Sequence, residues 1–316
     1  MYKAPNMDLW TGRVDAGSGT TSLRWHQCFS PWLAKSQQPG IALLGVASDE
    51  GVKRNQGRIG AAAGSDVIRR LLANQAYHLK RPAYDAGNLT CEQGNLEELQ
   101  REQATLVHQM LDQGHFPLLL GGGHEIAFGS FLGLERHLNP SRTAAPIGII
   151  NFDAHFDLRK AAVPTSGTPF LQIAEHCQAK NIPFRYFCLG VSEVANTQML
   201  FDQANQLGVE YLQDEELSNW KFPRIEEKLT KFLRPCQAVY LSIDLDVLPA
   251  ETAPGVSAPA ARGIPLPELE HLLAFIKSVV QDRLRVADIA EYNPQYDIDG
   301  RTARVAARLC HLLTRS

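Results

Sequence analysis

The sequence predicts an α/β fold, a three-layer αβα sandwich built on a mostly parallel sheet. Three observations carry this. Short apolar runs alternate with helix-period segments from Ile41 to the C-terminus. The runs are almost continuously apolar, which suits strands covered on both faces, as parallel strands are. No linker, repeat or low-complexity tract interrupts the alternation, so residues 1–316 read as a single domain.

The elements follow in order. Residues 1–40 hold Trp10, Trp25 and Trp32 among Gly, Ser and Gln with no period, and are predicted to form an irregular N-terminal arm over the main domain. Strands are predicted at Ile41–Val46, Phe116–Leu120, Ile147–Phe152, Tyr186–Val191, Ala238–Ile243 and Val286–Ile289. Asn95–Gln113 places Leu96, Leu99, Leu106 and Leu111 at helical spacing and ends at Gly114, a C-terminal cap. Phe222–Phe232, Leu266–Val280 and Arg301–Leu313 read the same way. In such sheets ligands bind beyond the carboxyl ends of the strands, so chemistry is expected there.

Composition narrows the class. A chain of 316 residues can bury a sizeable core. Lys plus Arg number 31 against 34 for Asp plus Glu, a net charge of −3, which lacks the basic excess of a nucleic-acid or anionic-membrane binder. No apolar run approaches the roughly 18 residues of a membrane helix. Met1–Trp10 shows no charged-then-apolar leader pattern, so a cytoplasmic location is expected. None of the six cysteines forms a C-x-x-C pair, so neither a disulfide framework nor a zinc ribbon is expected.

Three strand ends carry unusual residues. Phe116–Leu120 runs into Gly121-Gly122-Gly123-His124-Glu125, where glycines allow a tight turn that delivers His124. Ile147–Phe152 runs into Asp153-Ala154-His155-Phe156-Asp157. On an extended chain residues two apart face one side, so Asp153, His155 and Asp157 converge. Ala238–Ile243 runs into Asp244-Leu245-Asp246 with the same period. Four carboxylates and two imidazoles at buried strand ends are costly unless cations neutralise them. Oxygen ligands mixed with imidazole suit Mn²⁺, Fe²⁺ or Zn²⁺. The set exceeds what one tetrahedral ion needs and fits a pair sharing carboxylates.

These motifs resemble those of the ureohydrolase family, which comprises arginases, agmatinases and formimidoylglutamases. The resemblance runs from about Ile41 to the C-terminus. It implies two Mn²⁺ per subunit, one held by His124, Asp153, Asp157 and Asp244, the other by Asp153, His155, Asp244 and Asp246, with Asp153 and Asp244 bridging. It implies catalytic roles for Asp157 and Glu291. Asp157 would accept a hydrogen bond from a metal-bridging hydroxide, and Glu291, in Ala290-Glu291-Tyr292-Asn293-Pro294, would pair with the substrate amidinium. Ser166-Gly167-Thr168-Pro169-Phe170 lacks the histidine that arginases and agmatinases use in proton transfer. This segment, with Trp10–Asp15, Arg24–Gln27, Asn55–Ala61 and Gly255–Gly263, is similar to the formimidoylglutamase branch. That likeness implies hydrolysis of N-formimidoyl-L-glutamate to L-glutamate and formamide, in histidine degradation, by attack of the hydroxide on the amidine carbon. The alternative is another amidino hydrolase, an agmatinase or guanidino-acid hydrolase. A substrate with two carboxylates calls for cations at the mouth. Arg159 is the first candidate, then Arg58 and Arg262, with Ser166 and Glu291 as further substrate contacts. Glu193 and Asn196 follow a strand-like run and could line the same mouth. The family further implies a homo-oligomer, a trimer or hexamer.

Overall fold

The computed structural model describes residues 1–17, 19–34, 37–138, 145–217 and 221–315. Among the described residues ten strands form one sheet: β1 (Tyr2–Lys3), β2 (Phe29–Pro31), β3 (Ile41–Ala47), β4 (Ala83–Thr90), β5 (Phe116–Leu120), β6 (Ile147–Phe152), β7 (Tyr186–Val191), β8 (Glu210–Gln213), β9 (Ala238–Asp244) and β10 (Leu284–Ala290). Their order is β1-β4-β3-β5-β10-β9-β6-β7-β8, with β2 also on β4. Every pairing is parallel except β1 with β4. The helices are α1 (Glu50–Arg54), α2 (Gly64–Ala73), α3 (Leu96–Asp112), α4 (Ile126–Leu138), α5 (Pro169–Lys180), α6 (Gln198–Gln206), α7 (Phe222–Leu233), α8 (Leu266–Val280) and α9 (Arg301–Thr314).

The sheet separates two apolar layers. On β3, Ile41 and Leu43 pack into one layer while Ala42, Leu44 and Val46 pack into the other. The first layer takes the apolar faces of α2, α7, α8 and α9, and the second takes those of α3, α4, α5 and α6. Strands covered this way need apolar residues at both parities, which is why they read as runs rather than alternations. Each fully buried Leu or Ile contributes about 1.5–3 kcal/mol. Truncating one, as in Leu119→Ala, costs about 2–5 kcal/mol.

Residues 1–40 do more than the predicted arm. Trp25 is completely buried and Phe29 stacks on Trp10 at 3.9 Å. The Trp10 indole donates to Asp85 Oδ2 at 2.7 Å. Asp85 lies on β4, a strand the apolar runs do not reveal because Asp85, Gly87 and Asn88 interrupt it. Arg69 of α2 grips the same carboxylate in a fork, Nε to Oδ2 and Nη2 to Oδ1, both at 3.0 Å. Its remaining donors reach the Gly87 carbonyl at 2.7 Å and Asn88 Oδ1 at 2.8 Å. This fully buried pair ties the N-terminal segment, α2 and β4 together.

Candidate metal centre

The three strand ends meet at the carboxyl end of the sheet, because β5, β10, β9 and β6 are neighbours running the same way. Beyond β5 the chain turns sharply at Gly121 and Gly122, whose φ values are 73° and 83°. A Cβ at Gly122 would stand 2.6 Å from the Val46 carbonyl. The turn leaves His124 just before α4, fully buried.

The carboxylates arrive differently from the extended-strand expectation. β6 ends at Phe152, and Asp153–Asp157 form a loop in which Asp157 takes φ 50°. Asp153 Oδ1 accepts the His155 amide at 2.6 Å and its Oδ2 accepts Asn151 Nδ2 at 2.9 Å. Asn196, considered for the mouth, instead braces this loop. Its Oδ1 accepts the Phe156 amide at 3.2 Å and its Nδ2 donates to the Ala154 carbonyl at 2.9 Å. Asp246 sits in a 3₁₀ turn after β9, and its amide donates to Asp244 Oδ1 at 2.8 Å.

His124 Nδ1 is 3.0 Å from Asp153 Oδ2, 3.0 Å from Asp157 Oδ2 and 3.1 Å from Asp244 Oδ2. It makes a well-formed hydrogen bond to none of them. His155 Nδ1 is 3.1 Å from Asp246 Oδ2 and 3.5 Å from Asp153 Oδ1. Two groups therefore form, His124 with Asp153, Asp157 and Asp244, and His155 with Asp153 and Asp246. Asp153 belongs to both, as a bridging ligand would. Asp244, expected to bridge as well, groups here with His124, Asp153 and Asp157.

The electrostatics demand a cation. Burial, then the charges of Asp246 and Asp153, push Asp244 up to about 8. Burial and Asp153 push Asp157 up to about 6. Burial would raise Asp153 too, but the two imidazoles hold it well below the usual range. Burial opposes charge on His124, yet the three acids drive it well above its ordinary value. Without a cation, protons take the place of positive charge. A ring nitrogen faced by three carboxylate oxygens but hydrogen-bonded to none, in a set of hard oxygens plus imidazole, fits divalent metal. A further group of His108, Asp112 and His137 lies between α3 and α4 and differs. There Arg285 approaches His137 Nε2 at 3.0 Å, so Nδ1 carries the proton and bonds Asp112 at 2.6 Å.

Glu291 follows β10 with φ 66°. Its amide donates to the Gly122 carbonyl and its Oε1 accepts the His124 amide, both at 2.9 Å. Its Oε2 is buried with no partner among the described atoms. Burial, then the charge of Asp244, raises its pKa well above the ordinary range. That oxygen is suited to a cationic N–H donor.

The candidate substrate cations fare unequally. Arg159 is exposed and forms no ion pair among the described residues, while its amide donates to the Gly167 carbonyl at 2.9 Å. A Cβ at Gly167 would meet Arg159 Cδ at 3.0 Å and the Asn55 amide group at 3.3 Å, so Asn55 joins this rim. Sequence reasoning assigned Asn55 no role. Arg58 corrects its expectation: Nε donates to the Ser257 carbonyl at 2.9 Å, Nη2 to the Val256 carbonyl, and the guanidinium lies 4.1 Å over Tyr296. These bonds make Arg58 a brace between two loops rather than a free grip. Arg262 is exposed and its charge acts on Asp214, beyond the end of β8. Ser166 is buried in a turn fixed by Thr165 and Thr168. Glu193 is exposed. Phe170 sets its ring edge-on to His124 at 5.3 Å and stacks on Tyr186 at 4.4 Å.

Comparison with known proteins agrees with this arrangement. The profile of the arginase family matches residues 39–314, and the chain belongs to that family. The relatives within it are specific. Formimidoylglutamase of Aeromonas salmonicida is 52% identical over 316 residues, covering 99% of each chain. That of Aeromonas hydrophila is 53% identical over the same length, again covering 99% of each. The crystal structure of formimidoylglutamase from Bacillus subtilis superposes with a TM-score of 0.79 at 24% identity, covering 91% of this chain and 90% of that one. A formiminoglutamase of Trypanosoma cruzi, solved with two Mn²⁺, gives 0.74 at 24% identity, covering 87% and 93%. At that identity the structural likeness supports the shared three-layer fold.

Proposed function

We propose that this chain hydrolyses N-formimidoyl-L-glutamate to L-glutamate and formamide, a step of histidine degradation, and that its metals are two Mn²⁺. The observation that carries the reading is the bare, buried Glu291 Oε2 beside a carboxylate–imidazole cluster, in a chain about half identical to formimidoylglutamases over its whole length. His124, Asp153, Asp157 and Asp244 would hold one cation, and Asp153, His155 and Asp246 the other. Such a pair supplies the Lewis acidity that makes water a nucleophile near neutral pH.

The chain's own residues do the rest. Glu291 Oε2 accepts an N–H of the amidinium and orients its carbon towards the cluster. As the amidine carbon becomes tetrahedral, the same carboxylate stabilises charge that stays on nitrogen. The segment Ser166–Phe170 carries no histidine, so the general base and acid must come from elsewhere. Asp157 Oδ2 faces His124, which leaves Oδ1 to take a proton from water and return it to the glutamate nitrogen. The bond from the amidine carbon to that nitrogen then breaks, giving formamide and glutamate. Arg159 at the rim binds a substrate carboxylate through its planar fork.

The same proposal includes a cytoplasmic homo-oligomer, trimer or hexamer. Among the described residues no helix is long and apolar enough to cross a membrane. The test is a substrate panel on Mn²⁺-loaded protein: formimidoylglutamate, arginine, agmatine and guanidino acids. Formamide and glutamate release from the first is expected. Urea release from any of the others, with formimidoylglutamate inert, overturns the reading in favour of another amidino hydrolase.

A further inference from the structure

We infer that Ser242 and Asp288 are positioning residues that fix which nitrogen of His124 is left bare for a metal; the inference rests on the metal reading above. The two are register partners on β9 and β10. Asp288 is fully buried and makes no ion pair with Lys or Arg among the described residues. Three hydroxyls satisfy it instead. Ser130 Oγ donates to Oδ2 at 2.7 Å, Tyr240 Oη donates to Oδ2 at 2.6 Å, and Ser242 Oγ donates to Oδ1. A carboxylate accepting from three O–H groups needs no proton of its own.

The consequence falls on His124. Its Nε2 lies 2.9 Å from Ser242 Oγ. A hydroxyl has one hydrogen, and that of Ser242 goes to Asp288. Ser242 therefore has only lone pairs to offer, and Nε2 must carry the N–H. In a neutral imidazole this makes Nδ1 the bare nitrogen, and Nδ1 is the one facing Asp153, Asp157 and Asp244. The opposite tautomer would aim an N–H into the place of the cation.

The arrangement is built into β9. Tyr240, Ser242 and Asp244 stand two apart on one face of the strand, so the orienting donors and the ligand share one row. The chain of bonds also reaches outward: Gln103 of α3 donates to Ser130 of α4 at 3.0 Å. The His124 ring is thus oriented from the helical layer through the sheet. Outer partners of metal-bound histidines raise ligand basicity and fix ring orientation, and losing one typically costs about 10–100-fold in metal affinity.

The test is Mn²⁺ titration of the full-length protein, followed by electron paramagnetic resonance of free Mn²⁺, alongside the melting temperature of the metal-free form. Ser242→Ala and Asp288→Asn are each expected to weaken Mn²⁺ binding at the site that contains His124 by about 10–100-fold, leaving the His155 site to bind as in the unaltered protein. Asp288→Asn acts through its amide, which would donate to Ser242 and turn that hydroxyl towards Nε2. Ser242→Thr keeps the hydroxyl and is expected to retain affinity. Tyr240→Phe removes a donor to Asp288 but leaves the Ser242–His124 bond, and is expected to leave Mn²⁺ affinity near that of the unaltered protein. If Asp288→Asn does not fold, the Ser242 pair decides. Unchanged affinity in Ser242→Ala overturns the inference, as does a loss in Tyr240→Phe equal to that in Ser242→Ala. If the unaltered protein itself takes up no Mn²⁺, the metal reading fails first, which is a distinguishable result.

Discussion

Two buried charge clusters sit on the same sheet and behave oppositely. In one, Arg69 and Asp85 are each 1% or less exposed, fork to each other, and have their remaining atoms bonded to Trp10, Gly87 and Asn88. Charge and hydrogen bonding close within the protein. In the other, four aspartates and Glu291 face two imidazoles, and acids are pushed up to about 6 and about 8. Charge there does not close, and a buried carboxylate oxygen and a ring nitrogen have no partner among the described atoms. Burial is common to both, so burial alone does not mark function. The open charge balance marks the second cluster as a place for cations and a cationic substrate, and the closed balance marks the first as a structural tie.

The sharpest way to break the contrast is Asp244→Ala. It is expected to abolish hydrolysis and Mn²⁺ retention while leaving the metal-free protein folded, since it removes a carboxylate that repels its neighbours. Activity assays, metal content and thermal melting check this together. Arg69→Ala should do the reverse. It strands Asp85 in the core and is expected to cost about 3–5 kcal/mol in a denaturant titration, with Mn²⁺ affinity of the folded fraction unchanged. Equal loss of metal in both variants would dissolve the distinction.

Arg159→Ala is expected to raise KM for formimidoylglutamate by roughly 10–100-fold, the equivalent of a charged hydrogen bond of about 1.5–3 kcal/mol, with kcat little changed. Unchanged KM in steady-state kinetics would move the carboxylate grip elsewhere, with Asn55 the next residue at that rim.

A further effect concerns pH. Asp157 and Asp244 have folded-state pKa values raised above the ordinary carboxylate range, so the folded form holds their protons longer than the unfolded form. Their contribution is fully present below the unfolded value and is lost as pH rises through about 6 and about 8. His124 and His155, both raised, act in the same direction above their ordinary value. The metal-free protein should therefore melt lower at pH 9 than at pH 5, and saturating Mn²⁺ should raise the pH 9 value most. A metal-free melting temperature that climbs with pH contradicts this.

The sequence displayed the central sheet well because β3, β5, β6, β7, β9 and β10 are covered on both faces and must be apolar throughout. It hid β4, where Asp85 and Asn88 look like a loop until Arg69 is seen to bond both. It also hid β8, a four-residue strand at the sheet edge. The ligand aspartates were legible as residues but not as geometry. Strand alternation brings Asp153, His155 and Asp157 together on paper, whereas the structure does so with a loop held by Asn196 and a positive φ at Asp157. The fate of Arg58 was not legible, since its acceptors are carbonyls about two hundred positions away. Backbone carbonyls leave no trace in residue type. Gly167, by contrast, signals its close approach to Arg159 and Asn55 through its missing side chain.

The most direct test of an open charge balance is to count what closes it. Protein stripped with a chelator and then equilibrated with excess Mn²⁺ should hold two ions per chain and regain formimidoylglutamate hydrolysis in step with their uptake. No Mn²⁺ retained at saturation, or full turnover by the stripped protein, would contradict the account.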